Sequence, residues 1–298
     1  MKVRIGYALG TSTTLHDDRF GRVVDALESN GFDSLWVSER IGGEAPDPLV
    51  AMSYAAGRTE RLKFGMSVMV LPGRNPVVLA KALASLATLS GGRLLPAFGL
   101  GVVHPLEQQA FGVERSERAR WFDESLAVMR QCWTGEPVVH AGERFHYDGV
   151  RVRPVPARMD VWLGGFAPSE LRRVGRLADG WLPSFVTPDD AAEGRRVIER
   201  VCDEHDRSID DDHYGVLIPY SLGEPPDELL ARLARRRPDV DPTVLVPQGW
   251  DALTDLIDRF VAVGTSKFVV LPVREPTSVA EWSAHLADVA DVVLPLQT

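Results

Sequence analysis

One pattern recurs four times in succession from residue 3 to residue 100: an apolar strand-like run, a polar loop, then a helical run. Strand-like runs fall at 3–9, 32–37, 62–71 and 94–100. Phe20, Val23, Val24 and Leu27 share one face of the first helix, which Asp17 or Asp18 can cap and Gly31 ends. Asp47-Pro48 and Asn75-Pro76 each open a helix with a capping side chain and a proline in its first turn. In the second of these, Val78, Leu79, Leu83 and Leu86 are expected to point inward. Such units join most simply as parallel strands with right-handed crossovers.

The pattern loosens over a long connection at 101–117 and a helix at 118–133, and 134–158 reads as a hairpin-like insertion. Strand runs resume at 161–163, 180–183, 214–219 and 267–272, which brings the total to eight. Helices are expected at 168–178, 189–206, 225–237, 250–263 and 279–293. The fold class is therefore α/β: a (β/α)8 TIM barrel in a single domain, 1–298, with insertions near 134–158 and 238–248. An open doubly wound sheet is the alternative, but no GxGxxG turn follows the first strand.

The net charge of -9 and the lack of a basic patch interleaved with aromatics disfavour nucleic acid or an anionic membrane as partner. The arginine run at 232–237 reads as the wet face of a helix whose Leu229, Leu230 and Leu233 turn inward. Cys132 and Cys202 stand singly with no CxxC spacing, which fits a reduced compartment. The sequence starts straight into a strand, leaving no room for a signal peptide, and no run has the length of a membrane span. A cytoplasmic protein is expected.

In a barrel of this kind the chemistry lies on the loops that follow the strands. A Schiff-base lysine is missing there, since Lys2, Lys63, Lys81 and Lys267 fall at strand starts or on a helix. No HxH or HExxH occurs, so no metal site is expected, and Glu39 alone is too few carboxylates for a glycosidase. What remains is rich in glycine, hydroxyls and apolar side chains, a composition suited to a flat aromatic cofactor. Two places stand out. In the run to Leu71, Gly65 and Ser67 mark a bulge or a backbone lying against a ligand; packing alone is the other reading. Gly164 and Gly165, followed by Phe166, Ala167 and Pro168, give either free N–H groups for an anion at a helix start or a plain tight turn.

With these residues in view, the sequence resembles the bacterial luciferase-like flavin monooxygenase superfamily, on the branch that uses the deazaflavin F420. The resemblance runs from Gly6 to Pro272 and is carried by Gly31-Phe32-Asp33-Ser34-Leu35-Trp36-Val37-Ser38-Glu39, Thr59-Glu60-Arg61-Leu62-Lys63-Phe64-Gly65-Met66-Ser67-Val68, Ala110-Phe111-Gly112-Val113 and Trp162-Leu163-Gly164-Gly165. It implies a barrel, often a homodimer, with a non-prolyl cis peptide at Ser67-Val68 beneath the central ring of the cofactor. By the same resemblance Gly99, Leu100 and Gly101 lie alongside the cofactor, and Gly164, Gly165, Phe166, Ala167 and Pro168 lie near its phosphate. Arg93 matches a family position but starts a strand, which makes it structural. The chain departs from the family's dehydrogenases at Arg40, where they have a histidine, and at Val102, where they have an acid. Glu39, Arg40, His16 and His104 are the remaining candidates to supply a proton or polarise a carbonyl, although Glu39 and Arg40 could simply pair.

The expected activity is hydride transfer between F420 and a small organic substrate, in the direction of an F420H2-dependent reductase. Alternatives are an FMN-dependent luciferase-like monooxygenase and a protein that binds flavin or deazaflavin without catalysis.

Overall fold

The computed structural model describes residues 2–15 and 18–298. In chain order the first half comprises β1 (Arg4–Leu9), α1 (Arg19–Asn30), β2 (Ser34–Val37), α2 (Pro48–Arg58), β3 (Lys63–Met66), β4 (Met69–Val70), α3 (Pro76–Leu89), β5 (Leu94–Leu95), β6 (Ala97–Gly99), α4 (Pro105–Phe111) and α5 (Arg118–Thr134). The second half comprises β7 (Val138–Ala141), β8 (His146–Val150), β9 (Trp162–Leu163), α6 (Pro168–Leu177), β10 (Gly180–Trp181), α7 (Pro188–Asp203), β11 (Gly215–Tyr220), α8 (Asp227–Arg236), α9 (Trp250–Ala262), β12 (Lys267–Pro272) and α10 (Val279–Val293).

The capping signals at Asp47, Asn75 and Gly31 work as read. Asp47 accepts from the N–H of Leu49 at 2.9 Å and Asn75 from that of Val77 at 3.0 Å. Gly31 ends α1 at φ 87°, in the left-handed region glycine adopts without a Cβ penalty. Asp18 occupies the N-cap of α1 but its carboxylate accepts from Arg22 at 2.7 Å rather than from a helix N–H, and Asp17 lies outside the described residues. Leu79, Leu83 and Leu86 are buried in α3, whereas Val78 is 67% exposed.

The strands close into a ring. β1 pairs in parallel with β2 and β12, β2 with β3, β3 with β5, β4 with β6, β6 with β9, β9 with β10, and β11 with β12. The remaining seam, β10 to β11, is joined by parallel bridges Trp181↔Tyr214 and Ser184↔Leu217. β3 and β4 are the halves of one strand interrupted at Ser67 and Val68; β5 and β6 are the halves of another, interrupted at Pro96. Counted that way, the described residues give eight parallel staves with helices outside, a (β/α)8 barrel. Tyr7, Trp36, Phe64, Phe98, Trp181 and Phe268 are fully buried and lie along these strands. Each removes on the order of 2 kcal/mol worth of apolar surface from water.

The barrel's N-terminal end is held by charge. The buried Lys267 and the partly exposed Lys63 both reach Asp33, the latter at 3.0 Å. Arg93 donates to Thr59 Oγ1 and to the carbonyls of Ala56, Leu62 and Ser90, the structural role expected of it.

Two departures from the sequence reading, and a choice between the two readings it left open at Gly65, matter for the site. The connection 101–117 contains α4, which its pattern conceals because Glu107 is the only buried residue among its seven. Gly65 serves packing: a Cβ there would meet the Leu95 carbonyl at 2.7 Å and the Trp36 ring at 2.8 Å. The helix expected at 225–237 is not a crossover, since α9 performs that role. Instead α8 and the 3-10 turn Pro242–Leu245 form an excursion from the C-terminal end of β11. The excursion leaves and returns at one place, where Ser221 bridges Gln248 and the N–H of Gly249 donates to the Ser221 carbonyl at 2.8 Å. Leu233, Leu245 and Val246 give it a small core of its own, separate from that of the barrel.

Candidate active site

At the C-terminal ends of the strands lies a cavity of about 460 Å³. One wall is the interruption between β3 and β4. Ser67 and Val68 line the cavity there, and the peptide bond between them is cis. Ser67 keeps its place in the sheet by donating its N–H to the Val37 carbonyl at 2.8 Å, and its own carbonyl accepts from Ser38 Oγ at 3.2 Å.

Gly99, Leu100 and Gly101 line the adjoining wall. A Cβ on Gly99 would stand 2.5 Å from Val68 Cγ2, so only glycine lets the two strands approach here. Gly101 has φ 84°. Beneath the turn the guanidinium of Arg118, 3% exposed, donates to the carbonyls of Leu100 and Val102 at 3.1 and 3.0 Å.

Gly164 and Gly165 complete the lining opposite, while Phe166, Ala167 and Pro168 stand outside it. The free N–H groups expected at that helix start are already used. Glu170, one turn into α6, accepts from the N–H of Phe166 at 3.0 Å and of Ala167 at 2.9 Å. A carboxylate at this position of the first turn satisfies the orphan donors itself.

Of the four acid–base candidates, Glu39 and Arg40 line the cavity. They do not pair with each other. The Glu39 carboxylate accepts from the Val70 N–H at 2.7 Å and pairs with Arg74. Burial pushes its carboxyl above the ordinary value, and the Val70 N–H and Arg74 oppose that rise. Arg40 is exposed. His104 caps α4 on the surface, away from the lining, and His16 lies outside the described residues.

The cavity also holds charged groups the sequence reading did not place. Glu107 is 7% exposed and accepts long bonds of 3.4 Å from the N–H groups of Ile41 and Gly42. Arg173 of α6 pairs with Asp123 at 2.8 Å, and Arg232 and Arg236 reach the lining from α8. The run at 232–237 is thus not simply a wet face. Periodicity assigns a helix and its apolar stripe, but not that the opposite face overhangs a pocket.

A second chamber of about 1110 Å³ adjoins the first and shares Thr11, Ser38, Ser67, Ser184, Leu217 and Arg232 with it. Its lining mixes the apolar Leu271, Pro272, Val273, Pro219 and Trp282 with the polar Thr11, Ser12, Thr14, Arg19, Arg232 and Arg235, and Glu275 lies in its wall. No histidine among the described residues lines either space. No group of described His, Cys, Asp and Glu residues could hold a metal ion.

These residues fit a planar ring system with an anionic extension. The first cavity offers a flat wall of Val68 and Gly99, with arginines at its other side. At Gly164 an added Cβ would come within 4 Å only of the Leu182 carbonyl and Val68 Cγ1, leaving room for a ligand against the backbone.

Comparison with known proteins agrees with that fit. The profile of the family described as luciferase-like monooxygenase matches residues 4–260. An F420-dependent glucose-6-phosphate dehydrogenase of Nakamurella multipartita is 30% identical over 191 residues, which cover 60% of this chain and 56% of that protein. A putative coenzyme F420-dependent oxidoreductase of Mycobacterium tuberculosis is 31% identical over 202 residues, covering 62% of this chain and 56% of that protein. The chain therefore spans little more than half the length of these curated relatives. A solved F420-dependent secondary alcohol dehydrogenase, in complex with an F420–acetone adduct, superposes with a TM-score of 0.80 at 19% identity, covering 100% of both chains. At that identity the likeness is one of fold.

Proposed function

Because the chain belongs to the luciferase-like monooxygenase family, we propose that it is an F420-dependent oxidoreductase that acts as a reductase on a small organic substrate. When bound, reduced F420 supplies a hydride. The chain's part is to seat a flat ring between Val68, Gly99 and Leu163, to hold its anionic extension by Arg173 and Arg236, and to leave one ring face open toward the second chamber. Holding donor and acceptor in contact is itself a large share of such catalysis. The names of its relatives support the choice of cofactor.

One observation carries the direction of transfer. Glu39 is taken up by Arg74 and the Val70 N–H, and no described histidine lines the site; by the family resemblance Arg40 stands where the dehydrogenases have a histidine. Alcohol oxidation needs a base in the first cavity, at the position of Glu39 or Arg40; reduction of an activated double bond can draw its proton from another part of the substrate space. Arg40 remains, in this reading, a group that polarises the substrate, and His104 a rim residue. The chain 1–298 is taken as a single luciferase-like domain with insertions near 134–158 and 238–248. No described helix is long and apolar enough to cross a membrane. A cytoplasmic homodimer belongs to the same reading, supported by the exposed Val50 and Tyr54 of α2 and Val78 of α3; sedimentation equilibrium tests it.

The deciding experiment titrates the protein with F420 and, separately, with FMN while following the absorbance of each. Saturable perturbation of F420 at micromolar protein, with none for FMN, is the expected result. The reverse would make it a flavin monooxygenase. Tight binding of F420H2 with no oxidation by any member of an acceptor panel would make it a carrier without catalysis.

A further inference from the structure

Among the described residues, no cation pairs with one acid of the second chamber. Glu275 follows β12, at the C-terminal end of the barrel's last strand, and is half-buried. Its Oε1 accepts from the Gly10 N–H at 3.3 Å and from the Thr13 hydroxyl, both on the loop after β1. Oε2 has no hydrogen-bond partner among the described residues. Leu271, Pro272, Val273 and Pro276 line the chamber around it, with Trp282 of α10.

Among the described residues, every other charged group of the chamber is unsuited to donate a proton. Arg19, Arg232 and Arg235 cannot deprotonate at ordinary pH. Glu228 is exposed on α8. Ser38 and Ser67, at the junction with the first cavity, are hydroxyls without a base beside them. Tyr7 lies behind the chamber wall, its hydroxyl buried, and burial together with Tyr220 and Glu275 pushes its pKa well up. For Glu275 itself, burial raises the carboxyl above its ordinary value and the Thr13 and Gly10 donors only partly offset that.

We propose that Glu275 is the proton donor of the reaction, presenting Oε2 to an electron-poor alkene or imine bound in the second chamber. This rests on the reductase reading above and adds the residue and the substrate class. Ser38 and Ser67, shared by the two spaces, would hold one atom of the C=C or C=N bond in contact with the ring, where F420H2 when bound would supply the hydride. The π electron pair then forms a bond to the proton that leaves Glu275, and the carboxylate is reprotonated from water through the chamber mouth. The substrate gains two hydrogens, and the bound cofactor is oxidised by two electrons.

The test has one arm without cofactor and one with it. In the protein alone, an infrared pH titration should show a carboxylic acid C=O band that is missing in Glu275→Gln and persists above the ordinary glutamate range. Adding cyclohex-2-enone as a neutral probe should shift that band, and Thr13→Val should move its midpoint further up by removing a donor to the carboxylate. With F420H2 bound, single-turnover reduction of the same enone should fall roughly a hundredfold in Glu275→Gln. It should partly return in Glu275→Asp, with F420 affinity unchanged in both. A Glu275 band in the ordinary range that ignores the enone overturns the proposal, and so does an unchanged single-turnover rate. Failure of F420 to bind removes the reductase reading instead, and the infrared arm then decides alone whether Glu275 is a protonated acid of this chamber.

Discussion

At the scale of single residues, two positions carry sharp expectations. Asp33 is the lone carboxylate between Lys267 and Lys63; burial would raise its pKa, but the two ammonium groups outweigh that and hold it at about 2. A depressed folded-state pKa stabilises the fold above the unfolded value, and this contribution fades as pH falls from about 4 toward 2. The loss amounts to about 2 kcal/mol in urea titrations across that window. Asp33→Asn should abolish the dependence and cost about 3 kcal/mol at neutral pH, because it strands the buried Lys267. Gly99→Ala concerns the site rather than the fold. Its new methyl must push Val68 into the cavity, so F420 affinity should drop about tenfold, or ~1.4 kcal/mol, by absorbance titration while circular dichroism stays unchanged. Gly99 was legible because two glycines flank one leucine after a strand. Glu275 was not: Arg274-Glu275-Pro276-Thr277 reads as an ordinary wet loop, and only the approach of Gly10 and Thr13, more than 260 residues away, encloses it.

At the scale of elements, the helices that cap the barrel's long strands were legible because each carries an apolar stripe and a stop. The excursion around α8 was read as a helix and misplaced, since a stripe of Leu229, Leu230 and Leu233 does not say which surface receives it. Its anchoring is specific. Arg237 donates to the Phe185 carbonyl and to Asp190, both at 2.9 Å, and clasps Asp239. Arg237→Ala removes hydrogen bonds from a charged donor, each worth roughly 1.5–3 kcal/mol. Amide exchange in residues 227–236 should then accelerate about tenfold or more, with the rates of β1, β11 and β12 unaltered. Equal acceleration everywhere would mean that α8 belongs to the global folding unit. Within the anion site expected at 164–168, the N–H groups of Phe166 and Ala167 are engaged for a local reason: Glu170 is close enough in sequence to accept from both.

At the scale of the whole molecule, the barrel wall is uneven. β11, β12 and β1 are six residues long, while β9 and β10 have two each and the seam beyond β10 rests on isolated bridges. Amide exchange should therefore be slowest along β11, β12, β1 and β2 and fastest along β9 and β10, and addition of F420 should slow the latter most, since Leu163, Gly164 and Leu182 line its cavity. Uniform protection around the ring would contradict this. That there are eight staves was readable from alternation alone. That the ring closes at its weakest edge was not, because β9 and β10 are too short to show a period.

The excursion departs and rejoins within hydrogen-bonding distance, at Ser221 and at Gln248 and Gly249. It can thus be treated as a removable cassette. Exchanging it for a loop of another length should retune which acceptors enter and weaken F420 binding, because Arg232 and Arg236 leave the first cavity with it, while the staves keep their shape.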